Sequence, residues 1–162
     1  MVRTEEREQR CKGRILVVDD ECGEETTDGL IVMGYSSIYA KNYNDAVEFL
    51  KDNDFDLVIV DRCLSAKEDT KAGRRIIAQS DNAVLVEGDV LSLSPEEIKE
   101  IQRRPYSGED LVNQLYARNP RPKIIYTTAY HNSRVPLGID QLLMKPFDFE
   151  MLQRTVEQIL SK

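Results

Sequence analysis

The sequence predicts an α/β fold: a five-stranded parallel sheet, doubly wound, with helices on both faces. Three observations carry this. Ile15-Leu16-Val17-Val18 and Leu57-Val58-Ile59-Val60 are unbroken apolar, mostly β-branched runs, the pattern of strands buried on both faces. Helical stretches separate such runs, giving the order β-α-β-α-β that crossover connections impose on a parallel sheet. Both runs also end in acid, Asp19-Asp20-Glu21 and Asp61, at the edge of the sheet where open α/β folds place their chemistry.

Taken in order, residues 1–13 are mostly charged, lack apolar periodicity and read as a lead-in. Arg14–Asp19 is the first strand. Leu30, Ile31 and Met33 mark the helix that follows, closed by Gly34 as its C-cap. Tyr35–Ala40 is the second strand, and Asn44 is placed to cap the next helix, whose inner face is Ala46, Val47, Phe49 and Leu50. Asn53-Asp54 turns the chain into the third strand, Asp56–Asp61.

Residues 66–106 interrupt the alternation and read as an ordered insertion. Ala83–Val86 and Val90–Leu93 have the look of short strands, and Ile76-Ile77 is placed to pair with the first of them across Ser80-Asp81-Asn82. Ser94-Pro95-Glu96-Glu97 is a helix start, with Ser as N-cap, Pro at the first helical position and Glu at the third. The alternation then resumes. Leu111, Val112, Leu115 and Tyr116 form a helix face, and Asn119-Pro120 ends that helix. Lys123–Thr128 is the fourth buried strand of the main sheet and Asp140–Met144 the fifth. Phe147, Met151, Leu152, Val156, Ile159 and Leu160 form the inner face of the last helix.

At 162 residues, 41% apolar and 31% charged, the chain is long enough for one domain with a real core. A net charge of −7 argues against non-specific nucleic-acid binding, which depends on Lys and Arg meeting phosphates. No apolar run reaches the length of a membrane span or signal segment, so no membrane association and a cytoplasmic location are expected. Cys11, Cys22 and Cys63 are three in number without metal-ligand spacing, which points to filler side chains and away from a disulfide framework or zinc site.

Each strand of the main sheet except the second delivers a polar group at its carboxyl end: Asp19 and Asp20, Asp61, Thr128 and Lys145. Three carboxylates brought together need a counter-charge. A hard divalent cation with oxygen ligands, Mg²⁺ foremost, supplies one. Lys145 offers a point charge and Thr128 a hydroxyl to a phosphoryl oxygen, with Thr127 as its immediate neighbour. Nucleophile, cation, lysine and hydroxyl together describe a site that accepts a phosphoryl group. Asp19 and Asp20 also stand where they could cap the first helix. His131, the sole histidine, reads as an exposed loop residue, and Tyr130 is placed to gate the site.

The chain resembles the receiver domain of two-component response regulators. The likeness lies in Ile15 through Glu21, Gly34-Tyr35, Asn44-Asp45-Ala46-Val47, Phe55 through Asp61, Ser107-Gly108-Glu109-Asp110-Leu111, Ile125-Tyr126-Thr127-Thr128-Ala129 and Lys145-Pro146-Phe147. It covers about residues 14–65 and 107–162. The resemblance implies a flavodoxin-like fold over 14–162, interrupted by the 66–106 insertion. It implies that Asp61 is the phosphoacceptor, served by a histidine kinase or phosphotransfer protein. Asp20 would bind Mg²⁺ directly and Asp19 largely through water, the Cys63 backbone carbonyl would be a further ligand, and Thr128 and Lys145 would contact the phosphoryl group. Phosphorylation would shift a pre-existing surface equilibrium read by an unidentified downstream protein, in an oligomeric state the sequence does not disclose.

The chain departs from the family in four places. The insertion roughly doubles the distance from phosphoacceptor to threonine, and Ser65 stands where proline is common. Few residues separate Thr128 from Lys145, and Val135-Pro136-Leu137-Gly138 is poor helix material, so the fourth helix is expected to be short or missing. Leu142 replaces the usual switch aromatic. The alternative to a phosphorylated receiver is therefore a receiver-like interaction module that is never phosphorylated. An aspartyl phosphatase resembling the haloacid dehalogenase family fits poorly, because Asp61 is followed by Arg62-Cys63 with no second Asp. No enzymatic turnover is expected beyond self-phosphorylation from a phosphodonor and slow autodephosphorylation.

Overall fold

The structure, a computed structural model, describes residues 11–62, 64, 76–79, 84–86, 107–129 and 135–162. The elements are β1 (Arg14–Val18), α1 (Gly23–Val32), β2 (Ser36–Ala40), α2 (Tyr43–Asp52), β3 (Leu57–Asp61), β4 (Ile76–Gln79), β5 (Val84–Val86), α3 (Ser107–Tyr116), β6 (Lys123–Thr128), β7 (Gln141–Met144) and α4 (Phe149–Leu160). Five strands form one sheet in the order β2-β1-β3-β6-β7, every neighbouring pair parallel. The order reverses beside β1, between β1 and β3, which is the switch point of a doubly wound sheet.

The period-two alternation of the central strands divides the core into two layers. Leu16, Val18, Val58, Val60, Ile124 and Tyr126 face one side and pack with Leu50, Leu111, Val112 and Leu115 from α2 and α3. Ile15, Val17, Leu57, Ile59 and Ile125 face the other and pack with Leu30, Leu152, Val156 and Ile159 from α1 and α4. A continuous apolar run is therefore what the central strands require, since neither face meets water.

The helix boundaries follow from their caps. α1 ends in a Schellman arrangement: Gly34 takes φ +96°, its N–H donates to the Ile31 carbonyl, and Tyr35 N–H donates to the Leu30 carbonyl. α2 is capped by Asn42, not Asn44. The Asn42 side chain accepts from Asp45 N–H at 2.9 Å, and its amide donates to the Asp45 carboxylate at 3.2 Å. α4 is capped by Asp148, whose carboxylate accepts from Met151 N–H at 2.7 Å. Asp148→Ala is expected to cost about 1 kcal/mol in chemical denaturation, with Asp148→Asn recovering most of it.

Four side chains assigned to inner helix faces lie outside: Ile31 (51% exposed), Phe49 (37%), Tyr116 (56%) and Met151 (47%). Each sits one position off the buried stripe of its helix, beside Leu30, Leu50, Leu115 and Leu152. Tyr116 instead stacks with the Arg121 guanidinium, 4.7 Å from its ring centre.

The hairpin expected in the insertion is present: β4 and β5 pair antiparallel as a separate two-stranded sheet. The expected Val90–Leu93 strand and the helix beginning at Ser94 lie outside the described residues. Between β6 and β7 the described residues 135–140 contain a turn and no helix, in keeping with a short or missing fourth helix. No described helix is long and apolar enough to cross a membrane.

Candidate functional site

The site is assembled where β1, β3, β6 and β7 end together. Asp19 follows the last residue of β1, and its N–H still bonds the Ala40 carbonyl, so the sheet fixes its position. Its Oδ1 accepts from Glu21 N–H at 2.8 Å and Cys22 N–H at 2.9 Å. Asp19 thus organises the turn into α1 while its other oxygen faces the site. Asp61 closes β3 and is 7% exposed. Asp19, Asp20 and Asp61 each bring a carboxylate oxygen within 4.8 Å of the others.

Lys145 is delivered by β7. Its N–H bonds the Thr128 carbonyl at 2.8 Å, continuing the ladder one residue beyond Met144. The ammonium lies 2.7 Å from Asp19 Oδ2 and 3.2 Å from Asp61 Oδ1. Burial drives the Asp61 carboxyl up to about 7; Lys145 opposes this, while Asp19 and Asp20 add to it. Burial acts to lower Lys145, and the Asp61 and Asp19 carboxylates outweigh it, holding the ammonium above its ordinary value. The Lys145 ammonium is thus set against a group of three carboxylates.

Thr127 brings a hydroxyl to Asp61. Its Oγ1 donates to Asp61 Oδ1 across 3.4 Å, and the two residues are register partners between β6 and β3. Thr128, the residue marked in the sequence, is buried one position further on. Cys63, Tyr130 and His131 lie outside the described residues. Cys22 borders a cleft of about 450 Å³ beside Lys145, walled by Thr26, Phe147, Phe149 and Leu152. Burial and the Asp19 carboxylate push its thiol up, away from the thiolate that redox chemistry requires.

Gly108, which the sequence motif contains without assigning it a role, packs against the strand that carries Asp61. A side-chain carbon there would overlap the Asp61 carbonyl oxygen and lie 2.8 Å from the Arg62 Cα. The Gly108 N–H bonds the Arg62 carbonyl at 3.2 Å. The start of α3 therefore rests on the backbone that carries Asp61, at a distance only glycine allows.

The donor set fits a hard divalent cation: three carboxylates, oxygen only, converging where burial penalises uncompensated charge.

Among solved structures, the chain is similar to NtrX from Brucella abortus in complex with ATP, at 19% identity and TM-score 0.62; the match covers 93% of this chain and 27% of NtrX. It is similar to a CheY-like response regulator receiver domain from Methylobacillus flagellatus, at 19% identity over 90% of this chain and 97% of that one, TM-score 0.58. It is also similar to response regulator TrrA from Thermotoga maritima in complex with Mg²⁺-BeF, at 24% identity over 90% and 97% of the two chains, TM-score 0.59. Neither a protein-family model nor any curated protein sequence matches it. At these identities the likeness defines the fold. The chain has the fold of response regulator receiver domains, with an acidic cluster at the carboxyl edge of its sheet.

Proposed function

We propose that this protein is a phosphorylatable signalling receiver that accepts a phosphoryl group on Asp61 in a Mg²⁺-dependent reaction. The observation that carries this is the convergence of Asp19, Asp20 and Asp61 on one point with the Lys145 ammonium 3.2 Å from Asp61. A carboxylate nucleophile works on a phosphoryl group when its own charge and the incoming charge are both compensated. Asp19, Asp20 and Asp61 would hold the cation, with the Cys63 carbonyl as a further ligand in the family pattern. Bound by these residues, such a cation would supply positive charge against phosphoryl oxygens. Lys145, freed in part from Asp19, would hold a phosphoryl oxygen, and Thr128 would meet another.

A histidine kinase or phosphotransfer protein would supply the phosphoryl group, in the cytoplasm, and a partner protein would read the result. TrrA, of the same fold, is held with Mg²⁺-BeF, which favours this reading over an interaction module that kept the fold and lost the chemistry. Slow loss of its own phosphoryl group is the sole turnover expected.

The experiment is intact-mass spectrometry after incubation with Mg²⁺ and phosphoramidate. One phosphoryl adduct is expected in the wild type and none in Asp61→Asn or with EDTA. An unmodified wild type that also fails to bind Mg²⁺ in a parallel titration would favour the interaction module.

A further inference from the structure

We propose that Thr127 is a positioning residue of this site: its hydroxyl, with the Lys145 ammonium, pins Asp61 Oδ1, so that Oδ2 is the oxygen that attacks phosphorus. The assignment rests on the receiver reading above and deepens it.

Strand geometry gives the first reason. Ile59 and Ile125 face the α1/α4 layer, so alternation by two places Asp61 and Thr127 on that same face. Parallel pairing sets the two directly across from each other. Thr128, the last residue of β6, falls in the opposite phase of the alternation. Thr127 is 1% exposed, and its hydroxyl meets a carboxylate with little water to compete.

Convergence gives the second. Thr127 Oγ1 lies 3.4 Å from Asp61 Oδ1, and Lys145 Nζ lies 3.2 Å from that same oxygen. Both contacts are long, as catalytic hydrogen bonds often are before substrate binds. Two donors on one oxygen fix the carboxylate plane and leave Oδ2 as the oxygen free to approach phosphorus. With phosphoramidate, an Oδ2 lone pair forms the O–P bond as the P–N bond breaks. The protonated nitrogen then leaves as ammonia with the electron pair of that bond. A carboxylate free to rotate would offer either oxygen and reach the attacking geometry less often.

Thr127→Val keeps the shape and removes the donor; Thr127→Ser keeps the donor. Time courses of the phosphoramidate adduct are followed by intact mass, with Mg²⁺ affinity from calorimetry. Thr127→Val is expected to slow phosphorylation about tenfold, the scale of one hydrogen bond to a charged group, with Mg²⁺ affinity held within about threefold. Thr127→Ser is expected to react within about threefold of wild type. Wild-type kinetics in Thr127→Val overturn the assignment, and so does a Thr127→Ser as slow as the valine variant, because packing alone would then explain the loss. A wild type that takes no adduct overturns the receiver reading and this assignment with it. A reactive wild type matched by Thr127→Val overturns the assignment alone.

Discussion

Asp61→Asn is expected to stabilise the Mg²⁺-free protein, by about 2–4 kcal/mol at pH 8 and under about 1 kcal/mol near pH 4. Burial first, with the neighbouring Asp19 and Asp20 adding to it against Lys145, raises the folded-state Asp61 carboxyl to about 7 from an ordinary 3.8. Between those values the folded chain holds a proton that the unfolded chain has released, so wild-type stability falls as pH rises from about 4 to about 7. Above that window both states are ionised and the cost is fully present. Asparagine carries no such charge and escapes the whole penalty. Urea denaturation of both proteins in EDTA across this range checks the sign. Millimolar Mg²⁺ is expected to narrow the gap, since it compensates the charge that asparagine removes. A variant less stable than wild type at pH 8 would mean that Lys145 already neutralises the cluster.

Gly108→Ala is expected to cost about 2–3 kcal/mol, the scale of overpacking against a backbone that cannot yield. The added methyl would overlap the Asp61 carbonyl oxygen and crowd the Arg62 Cα and carbonyl, so either α3 retreats or the end of β3 moves. Movement of β3 displaces the nucleophile, and a shift near 1 Å is expected to slow phosphorylation about a hundredfold. Urea denaturation and adduct time courses on the folded variant measure the two effects separately. Unchanged stability would show that α3 can back away freely and that its approach to Asp61 is incidental.

The central sheet was legible because its strands obey a constraint with one solution. A strand covered on both faces must be apolar throughout, and Ile15–Val18 and Leu57–Val60 are. The carboxylates at their ends were legible because breaks in such runs are costly. The helix faces were harder to read. Ile31, Phe49, Tyr116 and Met151 are apolar neighbours of buried residues, and each of these helices also leaves apolar side chains in water, which sequence periodicity alone does not resolve. The α2 cap slipped by two because Asn42 and Asn44 are chemically identical; the distinguishing signal is Asp45 three residues after Asn42.

Within the site, Asp19, Asp20, Asp61 and Lys145 converge as strand ends should. The contact between Thr127 and Asp61 depends on register between β3 and β6, which no single strand encodes. Counting from Ile125 would have placed Thr127 on the Asp61 face, had the pairing been known. Gly108 was visible as a glycine in the first turn of a helix, an unfavourable place, but what it approaches belongs to another element.

The most direct test of the central claim is where the phosphoryl group sits. Borohydride reduction of the phosphorylated protein converts an aspartyl phosphate to homoserine, and peptide mapping then reads the position. Homoserine at residue 61 alone is the predicted result. A phosphoryl group found on His131, or homoserine at Asp19 or Asp20 in place of Asp61, would contradict it.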